Sequence, residues 1–236
     1  MTFWEHLEEL RACILHTLVV YALATVACFF FKDMLFQAVL YPKPAAMQII
    51  NIDIAQQFLT HIKVAALAGL LLAMPFALYQ IFAFISPGLY NIERRIAAGA
   101  MATSYLLFVA GAAINYFLIF PVTVDFLFYY RVSPDIENRI ALTSYINLLF
   151  IMSLIMGIAF ELPVFCWLLA RIGVLKSSFM TRYRRHAIVV ILIVSAVITP
   201  TGDPFTLMLV ALPIWILWEG SIFIVKRTEK KKTIET

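Results

Sequence analysis

The sequence predicts an all-α polytopic membrane protein with six transmembrane helices, the last two short, and packed outer-face loops. Composition is the first observation, because 63% of the 236 residues are apolar and only 14% are charged. Soluble domains average about 45–50% apolar and about 25% charged residues. The second observation is that four apolar runs reach the roughly 20 residues that a helix needs to cross a bilayer. Together they exclude a soluble globule and a disordered chain.

The last third of the chain is less regular than the four long runs. The run at 187–199 has only 13 residues, which span about 20 Å as a helix against a hydrocarbon core of roughly 30 Å. The run at 205–225 contains Glu219, and a turn rich in proline separates the two. Two short spanning helices are favoured over a re-entrant hairpin, and either arrangement returns the chain to the same side. The six predicted spans lie at about 12–31, 64–85, 96–120, 146–170, 187–199 and 205–225.

The distribution of basic residues predicts the topology. With six spans, 13 of the 18 Lys and Arg residues fall on the side that carries both termini, and five fall on the other side. Because basic residues accumulate in cytoplasmic loops, both termini are expected in the cytoplasm. The same distribution accounts for the net charge of +4 without a nucleic-acid partner.

The whole chain, 1–236, is expected to form a single integral-membrane domain. Its two outer loops, Lys32–Lys63 and Pro121–Tyr145, contain proline and enough apolar residues to pack as a cap on the outer face. An amphipathic helix at 2–11 is expected to lie at the interface before the first span, with its acidic residues on one face. A basic cytoplasmic tail follows at 226–236.

Acidic residues within or beside the spans are candidate functional positions. Glu161 lies ten residues before Arg171, about 15 Å into the bilayer, where a charge costs roughly 2.5–3.5 kcal/mol. It is therefore either a functional group or a protonated carboxyl that is hydrogen-bonded within the bundle. Glu219 is a polar contact, or it simply bonds to Arg227 or sits at the headgroup level. Asp203 is either a contact residue on the outer side or only a turn residue.

Catalytic and metal-binding motifs are absent from the sequence. No HExxH, GxSxG, Walker A or GxGxxG pattern occurs, so the chain is not predicted to be an enzyme. The three cysteines lie in apolar runs without CxxC spacing, and the histidines are scattered. We therefore expect no metal site and no cofactor.

Short motifs occur in order along nearly the whole chain. They are HLEELR at 6–11, FISPGLY at 84–90 with ERR at 93–95, NYF at 115–117 with FP at 120–121 ending the third span, FELP at 160–163, and TP at 199–200 with Asp203. Each motif is weak alone, but the ordered set is specific. In this set the chain resembles the TatC family, the polytopic core subunit of the twin-arginine protein translocase.

The resemblance implies a receptor for folded proteins that carry a twin-arginine signal peptide. Such a receptor works in the cytoplasmic (inner) membrane with single-span TatA- and TatB-type partners and further copies of itself, and uses the proton-motive force. By the same resemblance, Glu9 and Glu93 receive the two arginines, and Arg11 and Arg94 orient these carboxylates or contact lipid. A guanidinium binds a carboxylate through two parallel hydrogen bonds, which lysine cannot reproduce.

The resemblance also gives the intramembrane polar residues a role. Glu161 is expected on a concave face, where it meets a partner helix or the inserted signal peptide, and Asp203 is expected where partner subunits dock. Two positions depart from the pattern of some members: Asn91 replaces a basic residue and Leu207 replaces a glutamine. These departures concern signal affinity and outer-face partner contacts.

Two other hypotheses are compatible with six spans. The alternative is a proton-coupled small-solute transporter that uses Glu161 as its titrating site, although the inverted repeats typical of such transporters are not visible. An assembly scaffold without a ligand is the third. The order of the motifs favours the translocase receptor over both.

Overall fold

Long helices dominate the computed structural model, which describes residues 3–85, 94–133, 135, 137–199 and 203–235. A π-helical turn, Asn115–Ile119, and two short strands are the other regular elements of these residues. In chain order the helices and strands are α1 (Phe3–Phe29), α2 (Lys32–Leu40), β1 (Ile49–Ile50), α3 (Gln56–Ile85), α4 (Arg94–Ile114), α5 (Phe120–Tyr129), β2 (Ile140–Ala141), α6 (Leu142–Phe160), α7 (Leu162–Arg171), α8 (Ser177–Arg182), α9 (Arg184–Ile198) and α10 (Pro204–Glu235).

Five helical segments of the described residues are long and apolar enough to cross a membrane. Helix α9 has only 15 residues, about 22 Å, so it is short, as predicted, and the count of six spans stays a prediction. Helix α10 has 32 residues, so the prediction of a short last helix is wrong. The five candidate spans are Leu7–Phe29, Gln56–Phe84, Gly99–Tyr129, Leu142–Arg171 and Pro204–Lys230.

The chain divides into two compact units. The first comprises Met1–Leu106 and Val124–Phe150, and the second comprises Leu107–Thr123 and Ile151–Thr236. In the first unit, α1 and α3 pack as an antiparallel pair. A Cβ atom built on Gly69 of α3 would lie 2.5 Å from Oγ1 of Thr25 in α1, so only glycine permits this close approach of the two helices.

The connections after α1 and α5 are ordered by contacts within the first unit. Strands β1 and β2 pair in parallel, with Ile49 opposite Ile140. The hydroxyl of Tyr145, which is 2% exposed, donates a hydrogen bond to the carbonyl of Val39 at 3.1 Å. Nδ2 of Asn138 donates to the carbonyls of Phe128 and Tyr130 at the end of α5. These loops therefore pack against the helices.

The second unit is built around α10. A small apolar cluster joins this helix to α7 and α8 through Cys166, Met180 and Val225, all of them buried. The backbone amide and hydroxyl of Ser177, the first residue of α8, both donate to the carboxylate of Glu229 in α10. Helix α8 therefore packs against the C-terminal part of α10 and is hydrogen-bonded to it.

The sequence predicted that the third span ends at Phe120 and Pro121, but the helix continues beyond them. The chain passes through the π-helical turn and continues as α5 to Tyr129. The amide of Phe120 bonds the carbonyl of Asn115, five residues earlier. A proline ring clashes with the carbonyl four residues before it in an α-helix, and a wider turn next to Pro121 relieves that clash.

Other predicted boundaries differ because helices extend into the predicted loops. The first outer loop contains α2 and the start of α3, and the predicted tail forms the last turns of α10. Helix α1 runs without a break from Phe3 to Phe29, so the segment at 2–11 is not a separate helix. Apolar residues follow Arg11 directly, and no proline or glycine interrupts the helix there.

Candidate functional site

Glu9 of α1 lies level with the end of α3, after which the chain continues toward Glu93. Sγ of Cys13 in α1 lies 3.9 Å from the carbonyl oxygen of Gln80 in α3. Glu9 lies one turn before Cys13, so it is level with the last turn of α3, which ends at Ile85. Glu93 itself lies outside the described residues, and Arg94 is the first residue of α4.

Two carboxylates of the predicted acidic face, those of Glu8 and Glu9, differ in burial. Glu8 is exposed, whereas Glu9 is half-buried and its Oε2 atom is shielded from solvent. The apolar residues of the same segment are open, with Trp4 74% exposed and Ile14 51% exposed. The packing of α1 against α3 therefore turns Glu9 toward the protein and leaves Glu8 outside. Arg11 is exposed.

Glu161 lies at the junction of α6 and α7 and is half-buried. Its backbone amide donates to the carbonyl of Ile158 at 3.0 Å, and its carbonyl accepts from the amide of Phe165 at 2.9 Å. Pro163 follows in the first turn of α7. A backbone N–H at this position has no acceptor within the helix, so proline costs no hydrogen bond there. The junction therefore holds a carboxyl at a helix interruption inside the candidate span Leu142–Arg171.

A buried polar contact lies between the π-helical turn and α6 in the second unit. Asn115 is fully buried, and its Nδ2 donates to Oγ of Ser153 at 2.9 Å. One turn before Asn115, a Cβ atom on Gly111 would lie 2.6 Å from the carbonyl oxygen of Met156 and 2.8 Å from the ring of Phe160. Glycine thus brings the backbone of α4 against α6, directly before Glu161.

An apolar cavity of about 410 Å³ opens in the second unit. Residues of α6, α7, α9 and α10 line it, among them Leu162, His186 and Trp218. Nε1 of Trp218 is buried and has no hydrogen-bond partner among the described residues. Glu161 directly precedes Leu162, so the helix interruption lies beside the cavity wall.

Glu219 pairs with Arg184, whereas the sequence offered a bond to Arg227 as one of its alternatives. Nη2 of Arg184, at the start of α9, lies 2.8 Å from Oε2 of Glu219 in α10. The guanidinium of Arg227 lies 4.6 Å from the ring centroid of Phe223 instead. The pair links the two helices at a partly exposed position, where such contacts contribute little stability.

Asp203 caps α10. Its Oδ1 accepts a hydrogen bond from the amide of Thr206 at 2.7 Å, and Pro204 occupies the first helical position. This is the arrangement that helix N-termini favour. Asp203 therefore stabilises the start of α10, and its contact with a partner subunit on the outer side stays a prediction.

Two polar positions were missed by the sequence analysis. Nζ of Lys63 in α3 lies 2.6 Å from Oδ1 of Asn147 in α6, although the sequence placed Lys63 at the end of a loop. His61 is 8% exposed and lines a second cavity. The scattered histidines predict no metal site, and no spacing signal in the sequence marks either position.

The candidate spans and the polar groups within them define a multi-pass α-helical membrane protein. The family described as "TatC: Sec-independent protein translocase protein (TatC)" matches residues 5–213. The chain belongs to this family, which is a family of protein-translocase components. The resemblance that the ordered motifs indicated is therefore confirmed.

Individual relatives and a solved structure agree with this assignment. The chain is 32% identical over 98% of its length to a Sec-independent protein translocase protein TatC of Carboxydothermus hydrogenoformans, of which it covers 96%. It is 33% identical over its full length to that of Koribacter versatilis, of which it covers 90%. A crystal structure of the twin arginine translocase receptor TatC matches with a TM-score of 0.83 and 28% identity, over 94% of this chain and 99% of that chain.

Family membership confirms the predicted class of fold and of function. The chain is a predominantly α-helical membrane protein and a component of the Sec-independent, twin-arginine protein translocase. The solute-transporter hypothesis is not favoured, because the match extends across nearly the whole chain.

Proposed function

We propose that this chain is the receptor subunit of the translocase and binds twin-arginine signal peptides of folded precursor proteins. It lies in the cytoplasmic (inner) membrane with both termini in the cytoplasm, as the distribution of basic residues favours. It works with single-span TatA- and TatB-type subunits and with further copies of itself, in export driven by the proton-motive force. The matched crystal structure is itself described as a receptor.

The burial of Glu9 is the observation that carries this proposal. A carboxylate that is shielded on one side presents a fixed edge, which suits the two parallel hydrogen bonds of a guanidinium. Glu9 lies at the end of α3 from which the segment with Glu93 departs. Two acidic positions would then receive two consecutive arginines, with Arg11 and Arg94 holding the carboxylates or contacting lipid phosphate.

The second unit supplies features that suit a partner helix. Glu161 lies at a helix interruption beside an apolar cavity, and the exposed face of α9 is apolar, with Val197 81% exposed. We assign this region to contact with the hydrophobic part of the signal peptide or with a single-span partner. The region includes Glu219 of α10, which pairs with Arg184 at the start of α9. Asp203 would contribute at the N-terminus of α10.

A peptide titration tests the receptor assignment. The full-length protein in lipid nanodiscs is titrated with a labelled peptide that carries Arg-Arg before an apolar segment, and with the same peptide carrying Lys-Lys. Glu9→Gln and Glu93→Gln are each expected to weaken Arg-Arg binding about tenfold to a hundredfold, because each removes a charge-assisted hydrogen-bonded pair. Glu8→Gln is the matched control, since Glu8 carries the same charge one residue away and is exposed.

The outcomes separate a receptor from a charged surface. Loss of the Arg-Arg preference in the Glu9 and Glu93 variants, with Glu8→Gln unchanged, supports the assignment. Equal weakening in all three variants would mean that only net negative charge matters. Equal binding of both peptides to the unsubstituted protein would contradict the receptor role.

A further inference from the structure

A second cavity, of about 540 Å³, lies in the first unit at the level where α1 ends and α3 begins. Its lining includes Lys32 and Lys43 from the chain after α1, Gln57, Phe58 and His61 from the start of α3, and Asn51 before α3. Among the described residues, none that lines it is acidic. The proposed receptor function does not involve this cavity, which lies at the opposite end of α1 from Glu9.

His61 lines the cavity and carries a buried, unsatisfied nitrogen atom, Nε2. The residue is only 8% exposed, and its Nε2 has no hydrogen-bond partner among the described residues. Its ring stacks on that of Phe29, with centroids 4.0 Å apart and planes inclined by 19°. The stacking fixes the ring, so that Nε2 can donate a hydrogen bond to a ligand when it carries the proton.

Two lysines add positive charge to the same cavity. Lys32 and Lys43 are exposed, and neither side chain makes an ion pair or a hydrogen bond within the part of the chain that the structure describes. Asp33 and Asp53 are near them in sequence, but both are exposed and neither lines the cavity. The first turn of α3 also contributes to the lining, and a helix N-terminus favours an anion.

The walls of the cavity are held by packed elements. Strand β1, which contributes Ile49 and Ile50, is paired with β2. Oε1 of Gln56 accepts hydrogen bonds from the amides of Ile52 and Asp53 at 2.7 and 3.1 Å, which orders the chain just before α3. The cavity is therefore formed before any ligand binds.

We propose that this cavity binds the phosphate group of an anionic phospholipid. The lipid is the favoured source because the cavity lies where two candidate spans end, which is the depth of the headgroups. Phe58 lines the cavity and is 60% exposed, and Phe30 nearby is 79% exposed. These rings provide an apolar surface for the acyl chains below a phosphate that meets the two lysines and His61.

Native mass spectrometry of the full-length protein tests this proposal. The detergent-solubilised protein is titrated with dioleoyl phosphatidylglycerol, with dioleoyl phosphatidylcholine, and with inorganic phosphate as a competitor. The first phosphatidylglycerol is expected to bind more tightly than phosphatidylcholine. The double variant Lys32→Gln, Lys43→Gln is expected to weaken that binding about fivefold per lysine.

Two further variants separate the cavity from general surface charge. His61→Phe keeps a ring that stacks on Phe29 but removes Nε2, and it is expected to weaken phosphatidylglycerol binding. If His61→Phe fails to fold, the double lysine variant still tests the site. Both lysines are exposed, so their replacement is not expected to disturb folding. Arg131→Gln removes one exposed positive charge in the loop that precedes β2, outside the cavity, and is expected to change nothing.

Each result decides the proposal. A headgroup site is supported if the protein prefers phosphatidylglycerol, the double lysine variant loses this preference and Arg131→Gln keeps it. Inorganic phosphate must also fail to compete with the lipid. Displacement of the lipid by inorganic phosphate would assign the cavity to free phosphate and overturn the lipid source. Equal binding of both lipids, or equal loss in the Arg131 and lysine variants, would overturn the site.

Discussion

Replacing Gly111 with alanine adds a methyl group where α4 approaches α6 most closely. The new Cβ atom would lie 2.6 Å from the carbonyl oxygen of Met156 and 2.8 Å from two ring atoms of Phe160. The ring can rotate, but the carbonyl belongs to the backbone of α6, so the two helices must separate. Such overpacking costs about 1–3 kcal/mol.

Gly99 provides a matched control in the same helix. A Cβ atom on Gly99 meets nothing within 4 Å, and both substitutions gain the same helix propensity of alanine over glycine. The difference between the two variants therefore isolates the cost of packing. A difference of about 2 kcal/mol lowers the melting temperature of a protein of this size by about 4–8 °C.

The assay is thermal unfolding of the purified variants in one detergent, followed by the loss of monodisperse protein after heating. Gly111→Ala is expected to melt several degrees below Gly99→Ala. Equal melting temperatures would refute the reasoning, because they would mean that α4 and α6 move apart at no cost.

Substitutions at three further positions test the environment of individual side chains. Tyr145→Phe leaves the carbonyl of Val39 without its buried donor and is expected to cost about 1–3 kcal/mol in the same thermal assay; an unchanged melting temperature would mean that water replaces the hydroxyl. Asp203→Ala removes the cap on the amide of Thr206 and is expected to cost about 1 kcal/mol, whereas Asp203→Ser should restore most of it; equal loss in both would contradict capping. Glu161→Gln is expected to assemble in the membrane normally and Glu161→Lys poorly, as measured by the yield of membrane-extracted protein; equal yields would show that the position is open to water or lipid headgroups.

The long spans could be predicted because their signal is local. A run of about 20 apolar residues crosses a bilayer as a helix whatever its neighbours do, since every backbone group must be bonded within the segment. The family could be predicted for a related reason, because its motifs are short and keep their order. Boundaries set by tertiary contacts were missed, as at Pro121, where a π-helical turn lets the helix continue to Tyr129.

The partners of the polar residues depended on folding. Glu219 meets Arg184, 35 residues away in sequence, because α9 and α10 are adjacent, whereas sequence spacing suggested Arg227 within the same helix. Similarly, helical periodicity groups Glu8 with Glu9, but the packing of α3 against one side of α1 shields only Glu9.

The sequence by itself determined that this is a multi-pass helical membrane protein of the TatC family, because apolar length and motif order are properties of the linear chain. Only the tertiary structure decided that Gly69 and Gly111 lie at close helix contacts, that Asp203 caps α10, and that His61 joins two lysines around a cavity. These features bring together residues from separate segments. The distance between such residues depends on how the helices pack, which no local pattern in the chain records.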